Sequence, residues 1–141
     1  MHNFFIMKKY TFLISAFFIL TGYNLLAQDV LIAKSGAVIL IQNGAVLYCN
    51  GGINLENGSV LNNAGSLMIE RSGAATADFT DNTVVPYNYG SGKLVFTGAG
   101  VQTISSINQF ERIEVDNAGL NLATTINSNM WYLIKGKVNT G

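Results

Sequence analysis

The residues able to do chemistry in this chain are few, and their types exclude more than they suggest. His2 is the only histidine and Cys49 the only cysteine. His2 belongs to the N-terminal leader described below, so the mature chain cannot supply a Ser-His-Asp triad, a Cys-His pair or an imidazole metal ligand. Cys49 has no partner for an internal disulfide and reads as a small buried strand residue, with intermolecular pairing as the alternative. The acids come nearest to a catalytic pattern at Arg112, Glu114 and Asp116, which alternate with Ile113 and Val115 and therefore share one outward face. At about 3.3 Å per residue the backbone sites of Glu114 and Asp116 lie roughly 6.6 Å apart, near the spacing of a paired-carboxylate hydrolase. Alternating charges of opposite sign are also the mark of a solvated strand face with cross-strand ion pairs, and no catalytic residue is assigned. Asp78 and Asp81 are too isolated for a calcium-dependent lyase, and the G-G-x-G-x-D calcium-roll repeat is missing. No glycine motif opens a helix that could cradle a phosphate. The sequence therefore predicts no cofactor, no metal site and no enzyme activity within this chain.

What positions these residues is a run of short apolar segments cut by glycine. From Gly36 to Gly73 the chain reads GAVILIQN, GAVLYCNG, GINLENG, SVLNNAG, SLMIERSG, with Gly36, Gly44, Gly52, Gly58, Gly65 and Gly73 as corners. Each run suits a strand of about five residues and is too short for a packed helix. Gly36-Ala37-Val38-Ile39 is echoed by Gly58-Ser59-Val60-Leu61, and Gly44-Ala45-Val46-Leu47 by Gly65-Ser66-Leu67-Met68. That offset lies within the range of stacked-repeat folds. Three strands per repeat predict an all-β fold, a three-sided parallel β-helix, whose inward side chains stack into apolar columns. Asn-Gly between apolar runs is also the strongest short-range hairpin signal, which leaves an antiparallel alternative. Asn43, Asn50, Asn57 and Asn63 recur near corners, where they could stack as an amide ladder or meet a polar ligand. Val38, Val46, Ile53, Val60, Leu67, Phe96, Ile113, Leu120 and Leu122 are expected to point inward.

Ahead of these repeats, Lys8 and Lys9 precede a mostly apolar run, Thr11 to Leu26, and Ala27 stands before Gln28. Basic region, apolar region and small residue in that order read as a secretory signal peptide over residues 1–27, cleaved between Ala27 and Gln28, with Met7 as an alternative start. The run is short and interrupted for a spanning helix, so a stable membrane span after cleavage is the weaker reading. Removal of the leader takes two of the 8 Lys and Arg and leaves the 8 Asp and Glu, a slightly acidic balance. No basic cluster remains for nucleic acid. Residues 28–141 then form one small β-solenoid domain of about 114 residues. Val30 to Ala33 begins its first strand or caps its first coil. Residues 36–73 make a first repeat block and residues 93–141 a second, truncated one. Residues 74–92 read as a protruding loop, because Pro86 cannot donate to a sheet ladder. Tyr87 and Tyr89 within it could stack on a sugar ring as a glycan contact, or cover the edges of the core.

The second block, GKLVFTGAGVQTISSINQFERIEVDNAGLNLATTINSNMWYLIKGKVNTG, carries a resemblance. It resembles the G-x-V-x-F-x-G-x-x-Q-x-I-x-G…F-x-x-L-x-I-x-N-x-x-G-V-x-L…L-x-L-x-x-G-x-I-x-T repeats of Bacteroidetes-type secreted and surface proteins, described as autotransporter-like or adhesin-like. Phe96, Gln102, Ile104, Phe110, Ile113, Val115, Asn117, Gly119, Leu120, Leu122, Leu133 and Gly141 fall on marked positions of that pattern, whereas Ser106 replaces a usual glycine. The leader ending in Leu-Ala-Gln is similar to that group's. The resemblance implies a β-solenoid, export by type IX secretion, and further coils with a sorting domain beyond Gly141, which makes this chain an N-terminal fragment. It also implies a secreted or cell-surface location and a structural or adhesive role, with glycans or other cell-surface proteins as partners. The competing class is the N-terminal scaffold of a carbohydrate-active enzyme, a polysaccharide lyase or glycoside hydrolase, whose catalytic coils are not in this chain. An open C-terminal edge at Trp131, Leu133 and Val138 predicts self-association.

Overall fold

The computed structural model describes residues 29–71 and 78–140. Among them the chain forms twelve strands and no helix, wound into a β-solenoid of about five turns. The chain visits three faces in turn. β1 (Asp29–Ala33) lies on face 1 and β2 (Val38–Ile41) on face 2, while β3 (Val46–Leu55) bends from face 3 at 46–50 onto face 1 at 51–55. β4 (Val60–Asn63) stacks on β2, β5 (Ser66–Arg71) on the first half of β3, and β6 (Phe79–Asp81) on its second half. β7 (Lys93–Gly98), β9 (Gln109–Asp116) and β11 (Asn127–Lys135) continue face 3. β8 (Val101–Ser105), β10 (Gly119–Leu122) and β12 (Val138–Thr140) continue face 1. All these pairings are parallel, so the antiparallel hairpin alternative falls.

The corners explain why Asn-Gly does not make hairpins here. Gly44 and Gly58 have φ of 79° and 85°, and among the described residues no other type has positive φ. Ala45 N donates to Gln42 O at 3.0 Å and Ser59 N to Glu56 O at 3.0 Å, closing a four-residue turn around each pair. Positive φ at the second central residue alone is a type II turn, whereas the two-residue type I′ hairpin needs it at both. A second corner type is N-x-G, in which the asparagine Oδ1 accepts from the glycine N. It recurs at Asn63 to Gly65 (3.0 Å), Asn88 to Gly90 (2.7 Å) and Asn117 to Gly119 (2.8 Å), an Asx turn that closes the bend with a side chain. At Gly65 the chain also runs tight against its neighbour, where a Cβ would lie 2.3 Å from Ala45 O.

Inside, register builds columns. Leu47, Leu67, Leu94, Ile113 and Trp131 form one on face 3, and Cys49, Ile69, Phe96, Val115 and Leu133 another. Leu31, Ile53, Phe79, Ile104 and Leu122 form a third on face 1. Leu67, Ile69, Phe96, Ile113 and Val115 are fully buried, each stabilising the fold by about 1.5–3 kcal/mol.

Of the residues expected inward, Ile53, Leu67, Phe96, Ile113 and Leu120 are buried and Leu122 is half-buried. Val38, Val46 and Val60 point outward, Val38 at 67% exposure. On face 2 the type II corner sets this parity. It turns the small residue after the glycine, Ala37 or Ser59, toward the interior, so Ile39 and Ile41, or Leu61 and Asn63, follow it inward. A shift of one residue moves the whole set to the other side of a strand. The expected asparagine ladder is also displaced. Cross-coil amide pairs form at Asn54–Asn82 (3.0 Å), Gln109–Asn129 (2.8 Å) and Asn121–Asn139 (2.8 Å), not at Asn43, Asn50, Asn57 and Asn63.

Candidate functional site

The stretch read as a protruding loop lies flat on the solenoid. Residues 74–77 fall outside the described residues, but β6 belongs to face 1, and 87–89 takes the place of a face 2 strand. Tyr89 N donates to Gln109 O at 3.1 Å, Gln109 N to Tyr87 O at 3.1 Å, and Asn63 N to Tyr89 O at 2.6 Å. Pro86 stands just before this ladder, where no backbone donor is required.

Beneath it the inward column Ala33, Leu55, Asp81 turns polar. Asp81 Oδ1 accepts from Thr83 N at 2.8 Å, and Oδ2 from the Tyr89 hydroxyl, the Asn108 amide and Ser106 Oγ. Asn108 Oδ1 accepts from Tyr87 N at 2.7 Å, and its Nδ2 also donates to Thr83 Oγ1 at 2.8 Å. Ser106 Oγ accepts from Asn108 N at 3.0 Å, and Ser106 is tied to the next coil through Thr124. Burial, then the bond to Asp81, pushes the Tyr89 hydroxyl well above its ordinary value of 10.0. The rings of Phe79, Tyr89 and Phe110 pack edge-on or tilted around it, with centroids 4.5 to 5.9 Å apart. Donors and acceptors of the cluster answer one another rather than solvent, since Ser106 and Asn108 are fully buried. Its chemistry is that of a fastening, which holds 82–92 against the coils on either side. It also accounts for Ser106 where the repeat pattern has glycine.

The two tyrosines do not make one platform. Tyr89 is 3% exposed. Tyr87 is half-buried, its hydroxyl accepts from Leu61 N at 3.1 Å, and its ring stands at 73° to that of Tyr89. Tyr87 borders a shallow hollow of about 510 Å³ with Pro86, Asn88, Ile107, Gln109 and Asn127. Ala27 and Gln28, read from the sequence as the two sides of a leader cleavage site, lie outside the described residues.

Face 3 carries the charged residues and a longer depression. Arg112, Glu114 and Asp116 do share its outward side, and cross-coil partners engage both acids. Lys93 Nζ lies 2.9 Å from Glu114, with Arg112 Nε at 3.4 Å, and Lys135 Nζ lies 3.0 Å from Asp116. Parallel register sets Asn50, Glu70, Thr97, Asp116 and Lys135 in one outward row along the axis, and Tyr48, Met68, Val95, Glu114 and Tyr132 in the next. Tyr48 and Tyr132 are 51% and 48% exposed. The Tyr48 hydroxyl donates to Glu70, a bond that raises its pKa, and the Arg112 guanidinium sits 5.7 Å over the Tyr132 ring. A groove of about 720 Å³ runs along the first row from Glu70 to Lys135, with Tyr48 and Met68 of the second row at one end and Gly98, Ala99 and Ala118 as its floor at the corner. In the sequence Tyr48 reads only as the neighbour of Cys49. Its spacing of 22 residues to Glu70, equal to that of the ion pair Lys34–Glu56, is the signal that could have placed it in a row.

Among the described residues no three His, Cys, Asp or Glu side chains come together as a metal site, and no helix is long and apolar enough to cross a membrane. No protein-family model, no curated protein and no solved structure matches the chain.

Proposed function

We propose that this chain is a non-catalytic segment of a secreted or cell-surface protein, a structural or adhesive β-solenoid displayed outside the outer membrane. One observation carries this reading: outward rows of tyrosine, amide and apolar side chains, held in register along a rod, while the buried polar groups bond within the fold. A rod of stacked coils offers many weak contacts along its length, and weak contacts made together give avidity that none has alone.

The finer assignment to Bacteroidetes-type, adhesin-like substrates of type IX secretion draws support from the physical sense of the repeat pattern. Phe96, Ile104, Ile113, Val115 and Leu120 fill the core. Gln102 donates to Ile69 O at 3.1 Å and bonds Asn117, whose Oδ1 holds Gly119, so the pattern's glutamine and asparagine clamp one corner.

Two experiments test export and display. N-terminal mass spectrometry of the exported protein should find Gln28, cyclised, at the terminus, and protease added to intact cells should remove the protein. Retention of Met1 or Met7 on exported protein, or full protection from protease, would overturn the reading. The groove, with Glu70 and Asp116 on either side of Thr97, favours one second reading, the scaffold of a carbohydrate-active enzyme. Release of new reducing ends from a polysaccharide by the longer gene product would distinguish it.

A further inference from the structure

We infer that the groove on face 3 binds one neutral polysaccharide chain laid along the solenoid axis, a proposal that rests on the adhesive reading and gives it a ligand class and an address. The direction of the groove is the first argument. It crosses five parallel strands, β3, β5, β7, β9 and β11, so at about 4.8 Å per strand its rows extend about 19 Å. An extended peptide gains its affinity from an open sheet edge. Here the strand backbones beneath the groove are already paired on both sides, from β5 through β9. A ligand lying across them must be recognised by side chains, which suits sugar hydroxyls.

The composition of the rows is the second argument. Tyr48 offers an exposed ring at one end, and Met68 adds an apolar side chain beside it, an apolar surface for the C–H face of a pyranose. The adjoining row of Asn50, Glu70, Thr97, Asp116 and Lys135 supplies acceptors and donors at every coil. A pyranose ring in an extended β-linked chain advances by close to one strand spacing, so successive rings meet successive coils. Charge narrows the ligand further. Two carboxylates against one ammonium leave the groove slightly acidic, which disfavours uronic acid chains and selects neutral ones.

The test uses residues 28–141 with any downstream coils present, and measures binding of cellohexaose, chitohexaose, a mannan hexamer and hexagalacturonate by calorimetry and affinity electrophoresis. At least one neutral hexamer should bind. Tyr48→Ala and Ala99→Trp should each weaken it by about tenfold or more, the first by removing the platform and the second by filling the groove without deleting a contact. Both positions are solvent-exposed, so circular dichroism and the denaturation midpoint should stay at the wild-type values. Tyr87→Ala should leave binding unchanged. Loss of binding in Tyr87→Ala but not in Tyr48→Ala would overturn the groove and leave the adhesive reading standing. Preference for hexagalacturonate, or binding to none of the neutral hexamers, would also overturn it. Retention of the protein on cells that carry no such glycan would then separate failure of the groove from failure of adhesion itself.

Discussion

Replacing Asn108 with alanine removes the centre of the fastening under face 2, and the cost can be worked out from its bonds. The side chain is fully buried and serves four groups: Asp81 Oδ2, Thr83 Oγ1 and the Tyr89 hydroxyl through Nδ2, and Tyr87 N through Oδ1. Asp81 keeps the Tyr89 and Ser106 hydroxyls, so its loss is partial. Tyr87 N and Thr83 Oγ1 each lose a partner. A buried polar group left unsatisfied costs about 1–3 kcal/mol, so with two such groups Asn108→Ala should destabilise by about 2–6 kcal/mol, a large fraction of the roughly 5–15 kcal/mol typical of a domain. Urea denaturation followed by far-ultraviolet circular dichroism measures it through the midpoint at constant slope. Asn108→Asp is the sharper variant. It sets a second carboxylate against Asp81, so it should be worse than alanine at neutral pH and recover part of its stability in acid, where one carboxylate takes a proton. A loss below about 0.5 kcal/mol for alanine, or pH-independent stability for aspartate, would refute the claim that this cluster holds the segment down.

Parity is tested by a pair of truncations. Leu67→Ala empties a fully buried site and should cost about 2–5 kcal/mol, while Val38→Ala, on the outside of β2, should stay within about 0.5 kcal/mol; equal effects would put the register in error. The raised Tyr89 pKa predicts an alkaline loss of stability. The folded state keeps its proton while the unfolded chain gives it up, so the contribution is full below the ordinary value of 10.0 and falls as pH climbs above it. The slope should approach about 1.4 kcal/mol per pH unit and shrink in Tyr89→Phe. A polypeptide confined to residues 28–141 leaves Leu133, the end of an inward column, 56% exposed. It should self-associate in sedimentation velocity, and a stable monomer over a wide concentration range would contradict this.

How much of this was legible in the sequence depends on which interaction decides each feature. Local patterns gave the strands. Alternation along Leu67 to Glu70 and Arg112 to Asp116 states which side faces in, and Gly36, Gly44, Gly58 and Gly65 stand just before the strands that follow them, whereas Gly52 lies within β3, which bends without a break. Parity at β2 and β4 was not legible, because Val38 and Ile39 are equally apolar and only the turn type, set by one positive φ at Gly36 or Gly58, chooses between them. The polar column escaped for a different reason. Asp81, Tyr89, Ser106 and Asn108 are scattered over 28 positions of sequence and meet only once 87–89 has taken the face 2 position. Asn63, Asn88 and Asn117 were readable as corner residues. Their bond to the glycine two residues on distinguishes them from Asn43 and Asn57, which stand directly before a glycine. The row from Asn50 to Lys135 required register between coils of unequal length, 22 residues at one end of the rod and 18 at the other.

Adhesion without catalysis is tested most directly by presenting the domain as a surface would. Beads coated densely with residues 28–141 would be driven by flow over films of neutral polysaccharide while the effluent is assayed for reducing ends. The account predicts retention that rises steeply with coating density, as avidity requires, and effluent no richer in reducing ends than over uncoated beads. Free passage of the beads at every density, or reducing ends released in proportion to the protein present, would contradict it.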